Sequence, residues 1–86
     1  MVQITEVHME GGERHDHIAS VKWWNGQKAG VSTRSQMVDF INGGQKVYVT
    51  DGQNMVYVGV VKATPSYIRT HADGKWTDNL LALPRF

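Results

Sequence analysis

The stretch HIASVKWWNGQKAGVSTRSQMVDFINGG, residues 17–44, decides the fold, because its apolar period changes partway along. Two strand-like runs, HIASVKWW and QKAGVS, flank Asn25-Gly26. Asn-Gly between such runs is the strongest short hairpin signal, since a type I′ turn wants positive φ at both central residues. From Thr33 onward the spacing turns helical, with Met37, Val38, Phe40 and Ile41 recurring at helix period. Thr33 and Gln36 stand as a capping box, and Gly43 and Gly44 supply the stop. One helix is predicted here, with Phe40 and Ile41 as its buried anchors and its Met, Phe and Ile stripe as core rather than a cofactor box.

Upstream, Val2 and Ile4 alternate, but Val7 falls out of phase. A bulge near Thr5 and Glu6 would restore the register. The glycines Gly11 and Gly12 mark a loop. Downstream, KVYVT and MVYVGVVKA are joined by DGQN, a second hairpin. The strand Met55–Val61 is apolar on both faces, which fits a central position or a subunit contact. Gly59 inside it predicts a bulge or a close backbone approach. After TPS, YIRTH and KWT pair around ADG, and DNLLALP closes as a short helical or 3-10 turn with Asp78 as N-cap. The class is α+β: a small antiparallel sheet of about six to seven short strands in hairpins, one central helix on one face, and a short C-terminal turn.

Eighty-six residues make one domain, 1–86, with a single small core and no room for a large enclosed cavity. The absence of cysteine excludes disulfides and thiolate chemistry. The first residues lack a basic segment followed by an apolar one, and no apolar run approaches the ~20 residues of a span. A cytoplasmic protein is expected. Nine Lys/Arg against eight Asp/Glu is too even a balance for a duplex-DNA binder, so nucleic acid is not favoured as a partner.

The features ITEV, HIASVKWW, the helix segment STRSQMVDFINGG and the closing YIRTHADGKWTDNLLALP run through nearly the whole chain. Together they resemble a family of small bacterial and phage proteins known only as a domain of unknown function. The family's helix face is typically acidic, whereas Arg34 and Gln36 stand here, which alters surface charge and not fold. The resemblance implies a bacterial or phage origin, a soluble intracellular protein and a domain that is the whole chain. It carries no established activity and no catalytic residues.

Several residue groups are candidates for function. On a strand His15 and His17 would point the same way, and with His8 could surround Zn²⁺ or Ni²⁺, although the spacing matches no metal signature and a polar loop explains it. We expect no cofactor. Ser20, Ser32, Ser35 and Ser66 lie in no nucleophile elbow, Ser32 and Ser35 being better explained by helix capping. Asp73 and Asp78 have ordinary turn roles. The closing block differs. On a strand Ile68 and Thr70 face inward and Tyr67, Arg69 and His71 outward, with Trp76 alongside and Asp78 and Asn79 at the end. Arg suits phosphate or carboxylate and the aromatics suit a planar ring. The alternative is a tied end, with Arg69 paired to Asp73 or Asp78 and with Asp78 and Asn79 capping the final turn. Of the adjacent Trp23 and Trp24 only one can be core, so they and Tyr57 are candidate interface residues.

The leading expectation is a non-enzymatic, self-associating binding module for a phosphate-bearing, nucleotide-like small ligand, held on the C-terminal hairpin face or at a subunit interface. The alternatives are a protein-interaction adaptor using an exposed Trp and the valine-rich strand, and a minimal hydrolase.

Overall fold

The computed structural model describes all residues, 1–86. The strands are β1 (Val2–Met9), β2 (Ile18–Trp24), β3 (Ala29–Thr33), β4 (Val47–Thr50), β5 (Met55–Val61), β6 (Tyr67–Ala72) and β7 (Lys75–Thr77). The helix α1 (Arg34–Asn42) separates β3 from β4, and 3-10 turns occupy His15–His17 and Asn79–Ala82. The fold is α+β. All strands share one sheet in the order β3-β2-β1-β4-β5-β6-β7.

Two antiparallel meanders, β1–β3 and β4–β7, make the halves of this sheet. They meet at a feature that hairpin logic does not supply, a short parallel ladder pairing Val2 with Val47 and Gln3 with Tyr48. Parallel neighbours need a long crossover. Here β2, β3 and α1 together provide it. Past Gln3, the chain's last residues take over as β1's neighbour. The Val7 amide donates to the Pro84 carbonyl (3.0 Å), and the Phe86 amide donates to the Val7 carbonyl (3.2 Å).

The bulge falls where the phase break required it. Ile4 pairs with Trp23 and Glu6 with Lys22, leaving Thr5 unpaired, its hydroxyl donating to the Lys22 carbonyl (3.3 Å). Ile4 and Val7 are thereby both fully buried. Across the sheet, the core face carries Val21, Val47, Val49, Val58 and Ile68, closed over by Met37 and Val38 of α1 and by Leu80 of the last turn.

The capping box is formed: the Thr33 hydroxyl accepts the Gln36 amide (3.2 Å) and the Gln36 side chain accepts the Thr33 amide (2.9 Å). Gly43 is the C-cap. The helix phase differs from the sequence reading. Met37 and Val38 are the buried anchors, Ile41 is half-buried, and Phe40 is 38 % exposed. At about 100° per residue, Met37, Val38 and Ile41 cluster on one side and Phe40 lies roughly a quarter-turn away. Ser35 takes no part in capping, and Ser32 instead accepts the indole N–H of Trp23 (3.0 Å).

The turns also correct an expectation. In Asn25–Lys28 the Asn25 amide donates to the Lys28 carbonyl, so Asn25 starts the turn and Gly26 (φ 96°) is its first central residue. Gln27 lacks positive φ, so this is not a type I′ turn. The Asn25 side-chain oxygen accepts the amides of Gln27 (2.9 Å) and Lys28 (2.7 Å). Asp51–Asn54 repeats the device, with Asp51 accepting from Gln53 and Asn54. Only Asp73-Gly74, with φ of 54° and 77°, has the paired positive φ of type I′.

His15 and His17 lie in a 3-10 turn and not on a strand, and His8 gives its Nδ1 proton to the Phe86 carbonyl (2.6 Å). The three imidazoles therefore do not converge on one point. Asp78 precedes the final turn but makes no side-chain cap.

Candidate functional site

Residues paired across a ladder share a face, and alternation along each strand sets the opposite face. Trp23 pairs with the buried Ile4, so it is the inward tryptophan, half-buried over Gly30. Trp24 is the outward one. From Trp24 a single row can be followed over the outer face: Trp24 pairs with Gln3, Gln3 with Tyr48, Tyr48 with Tyr57, Tyr57 with His71, and His71 with Trp76. Six strands contribute one residue each, and five of the six are aromatic rings. At about 4.8 Å per strand the row spans roughly 24 Å. Trp24, Tyr57 and Trp76 are exposed at 43 %, 36 % and 47 %.

One step along the strands lies a second row. Gly59 pairs with Arg69, and Lys46, just before β4, continues it. The Lys46 ammonium sits 5.4 Å from the centre of the Tyr57 ring. His71 and Trp76 meet edge to face at 5.9 Å. A side chain at Gly59 would collide with this arrangement, since its Cβ would stand 3.0 Å from His71 Cδ2. The glycine thus lets the rings lie close to the sheet, and the ladder shows no bulge there. Lys46, Tyr57, Gly59 and His71 border an open cleft of about 310 Å³, closed at one end by Ile41 and Gly44.

Tyr67, Arg69 and Asp78 come together in a different cleft, of about 300 Å³, where His15 joins them. Arg69 Nη2 donates to Asp78 Oδ1 (2.8 Å), and its Nε donates to the Thr77 carbonyl (3.1 Å). His15 is 9 % exposed, with Nε2 3.7 Å from Asp78 Oδ1 and no hydrogen-bond partner. Burial lowers its pKa first, the Arg69 charge lowers it further, and Asp78 and Asp16 oppose both. No serine or threonine lines this cleft. Asn79 is exposed, and its backbone amide donates to Thr70 Oγ1 (3.1 Å).

The six residues picked from the closing block therefore divide. Tyr67, Arg69 and Asp78 gather around His15, His71 and Trp76 belong to the aromatic row, and Asn79 holds the buried Thr70 through its backbone amide. His15 joined them unforeseen, since the loop before β2 gives no sequence signal that it folds against β6. Tyr48 and Lys46 were likewise missed as site residues, because only the cross-sheet register aligns them with Tyr57.

Residues 3–84 match the family described as a protein of unknown function, DUF3892. The chain belongs to the DUF3892 family. The match spans this DUF3892 domain from β1 to the last turn, which agrees with the resemblance drawn from its motifs. No curated protein and no solved structure matches it. No helix is long and apolar enough to cross a membrane.

Proposed function

We propose that the protein is a non-enzymatic binding module for a phosphate-bearing, nucleotide-like small ligand, held on the outer face at the C-terminal hairpin. The observation that carries this reading is the cleft at Tyr57, His71 and Lys46, with Trp76 beside it. A planar ring finds aromatic partners there and a phosphate finds an ammonium. Arg69 was the expected phosphate ligand. Two of its nitrogens are engaged by Asp78 and Thr77, leaving Nη1 as its contribution beside Gly59. The cytoplasm, where nucleotides are abundant, is the compartment we assign.

Self-association is part of the reading. The largest cleft, about 430 Å³, is apolar and lies between α1 and the β3 edge, lined by Trp23, Val31, Met37 and Phe40. It lies away from the proposed ligand face and beside the unpaired backbone of an edge strand. The same groove favours the second reading, a protein-interaction adaptor. Light scattering at ~100 μM, above ordinary dimer affinities, tests self-association, and a monomer there counts against it.

The ligand reading is tested by titrating nucleoside mono- and triphosphates while following tryptophan emission and the melting temperature. Binding should be lost in Tyr57→Ala and in Lys46→Ala, with both variants still folded. No response to any nucleotide at millimolar concentration would sink it.

A further inference from the structure

The row is several times longer than a mononucleotide needs, and its far end at Trp24 lies four strands from His71. We infer that the outer sheet face binds single-stranded nucleic acid, the bases stacking along Trp24, Tyr48, Tyr57 and Trp76 and the phosphates following Lys46 and Arg69. This rests on the nucleotide reading, because both use Tyr57 and Lys46.

Three observations carry it. Aromatic rings exposed across an open sheet are a stacking platform, and base–aromatic stacking is tolerant of sequence. The cations Lys46 and Arg69 flank Gly59, over which the His71 and Trp76 rings lie close to the sheet. Glu6 near this face is paired with Lys22 (3.5 Å), and Arg69, paired with Asp78 (2.8 Å), keeps Nη1 free of that pair. A second copy of this chain is a poorer occupant, because a two-fold contact would bring Lys46 and Arg69 toward their own like charges. The near-zero net charge argues against a duplex, whose affinity comes from phosphate neutralisation. It does not argue against a single strand, whose unpaired bases reach the rings.

The test uses fluorescence anisotropy with labelled oligothymidylate and oligouridylate of about 12 nucleotides, within the site sizes of single-strand platforms. Both should bind, and the duplex of the same length should bind much more weakly. Trp24→Ala should weaken oligonucleotide binding at least about fivefold, the low end of a lost stacking contact, while leaving mononucleotide binding at Tyr57 unchanged. Trp76→Ala, beside the mononucleotide cleft, should weaken both kinds of ligand, and an unchanged melting temperature shows that each variant is folded. With Lys46 as the cation that no carboxylate offsets, the slope of log K on log salt should be about −0.7. A preference for the ribo-oligomer would assign the 2′-hydroxyl a contact, and equal affinity would assign stacking alone; either supports the inference. Oligonucleotides that bind no better than a mononucleotide overturn it while leaving the small-ligand reading intact. Duplex binding equal to single-strand binding also overturns it. Absence of both mononucleotide and oligonucleotide binding overturns both readings.

Discussion

The Thr77 hydroxyl donates to the Thr70 hydroxyl oxygen at 2.6 Å, and this contact ties the C-terminal segment to the sheet. Thr70 is fully buried. Its oxygen also accepts the Asn79 amide (3.1 Å), and its own proton goes to the Thr77 carbonyl (3.1 Å). One donor and two acceptor sites are the whole capacity of a hydroxyl, and all are used. Thr70→Val keeps the shape and strands its partners, so it should cost about 1–3 kcal/mol, whereas Thr70→Ser should retain most of the stability. Equilibrium urea unfolding of the two variants decides it. Equal stability of Val and Ser would show that the hub contributes little.

The helix phase gives a second contrast. Met37→Ala removes a buried side chain and should cost about 2–5 kcal/mol. Phe40→Ala removes a ring that is partly in water and lines the groove at the β3 edge, so it should cost under about 1 kcal/mol. Thermal melts of both, followed by circular dichroism, check the order. A reversal would restore the anchor assignment that spacing alone suggests.

Local chemistry was legible wherever it sufficed. Thr33 with Gln36 and the Thr5 bulge are set within a few residues, and both follow from the sequence. The same holds for Ile68 and Thr70 facing inward, because strand alternation is a local rule. The parallel pairing of Val2 with Val47 was not legible, since it joins the two meanders across a span that includes α1. Phe40 misled because helix spacing admits it beside Met37 and only the sheet's position selects Val38 instead. At the closing block, Arg69 meeting Asp78 could be read from the hairpin. His15 entering that cleft, and Tyr48 aligning with Tyr57 and Trp24, depend on long-range register that no short motif encodes.

His15 makes stability depend on pH. Burial and the Arg69 charge hold its pKa below the ordinary value of 6.5. The unfolded chain therefore takes up a proton at a pH where the folded imidazole still refuses it. Stability from this group is full above the ordinary value and is lost as pH falls toward and through the lowered one. The protein should be less stable at pH ~5 than at pH ~7.5, values that bracket the free histidine pKa. His15→Gln should flatten that part of the profile. Asp78→Asn removes a charge that raises the His15 pKa, so the acid-side loss should deepen. At neutral pH the same variant should change stability by only about 0–1 kcal/mol, because the Asp78 side chain is largely exposed. Urea midpoints across this pH range measure all three, and a profile unchanged in His15→Gln would remove the histidine from the account.

Two glycines beneath tryptophans separate packing from the binding face. At Gly30 an added Cβ would stand 2.4 Å from Trp23 Cζ2. Trp23 packs against the core and is held by its bond to Ser32, so moving its ring gives up both contacts. Gly30→Ala should therefore cost about 1–3 kcal/mol, the range of overpacking. At Gly59 the Cβ would meet His71 Cδ2 at 3.0 Å and Trp76 Cζ3 at 3.4 Å. These rings lie on the open face and can swing outward. Alanine also lowers the entropy of the unfolded chain by about 0.4–1 kcal/mol, which offsets the displacement. Gly59→Ala should melt close to the parent protein. It should nonetheless disturb the edge-to-face contact of His71 with Trp76, shift the tryptophan emission, and weaken nucleotide binding at the adjoining cleft. If Gly59→Ala instead loses as much stability as Gly30→Ala, the outer rings are part of the packed structure and are not free to receive a ligand.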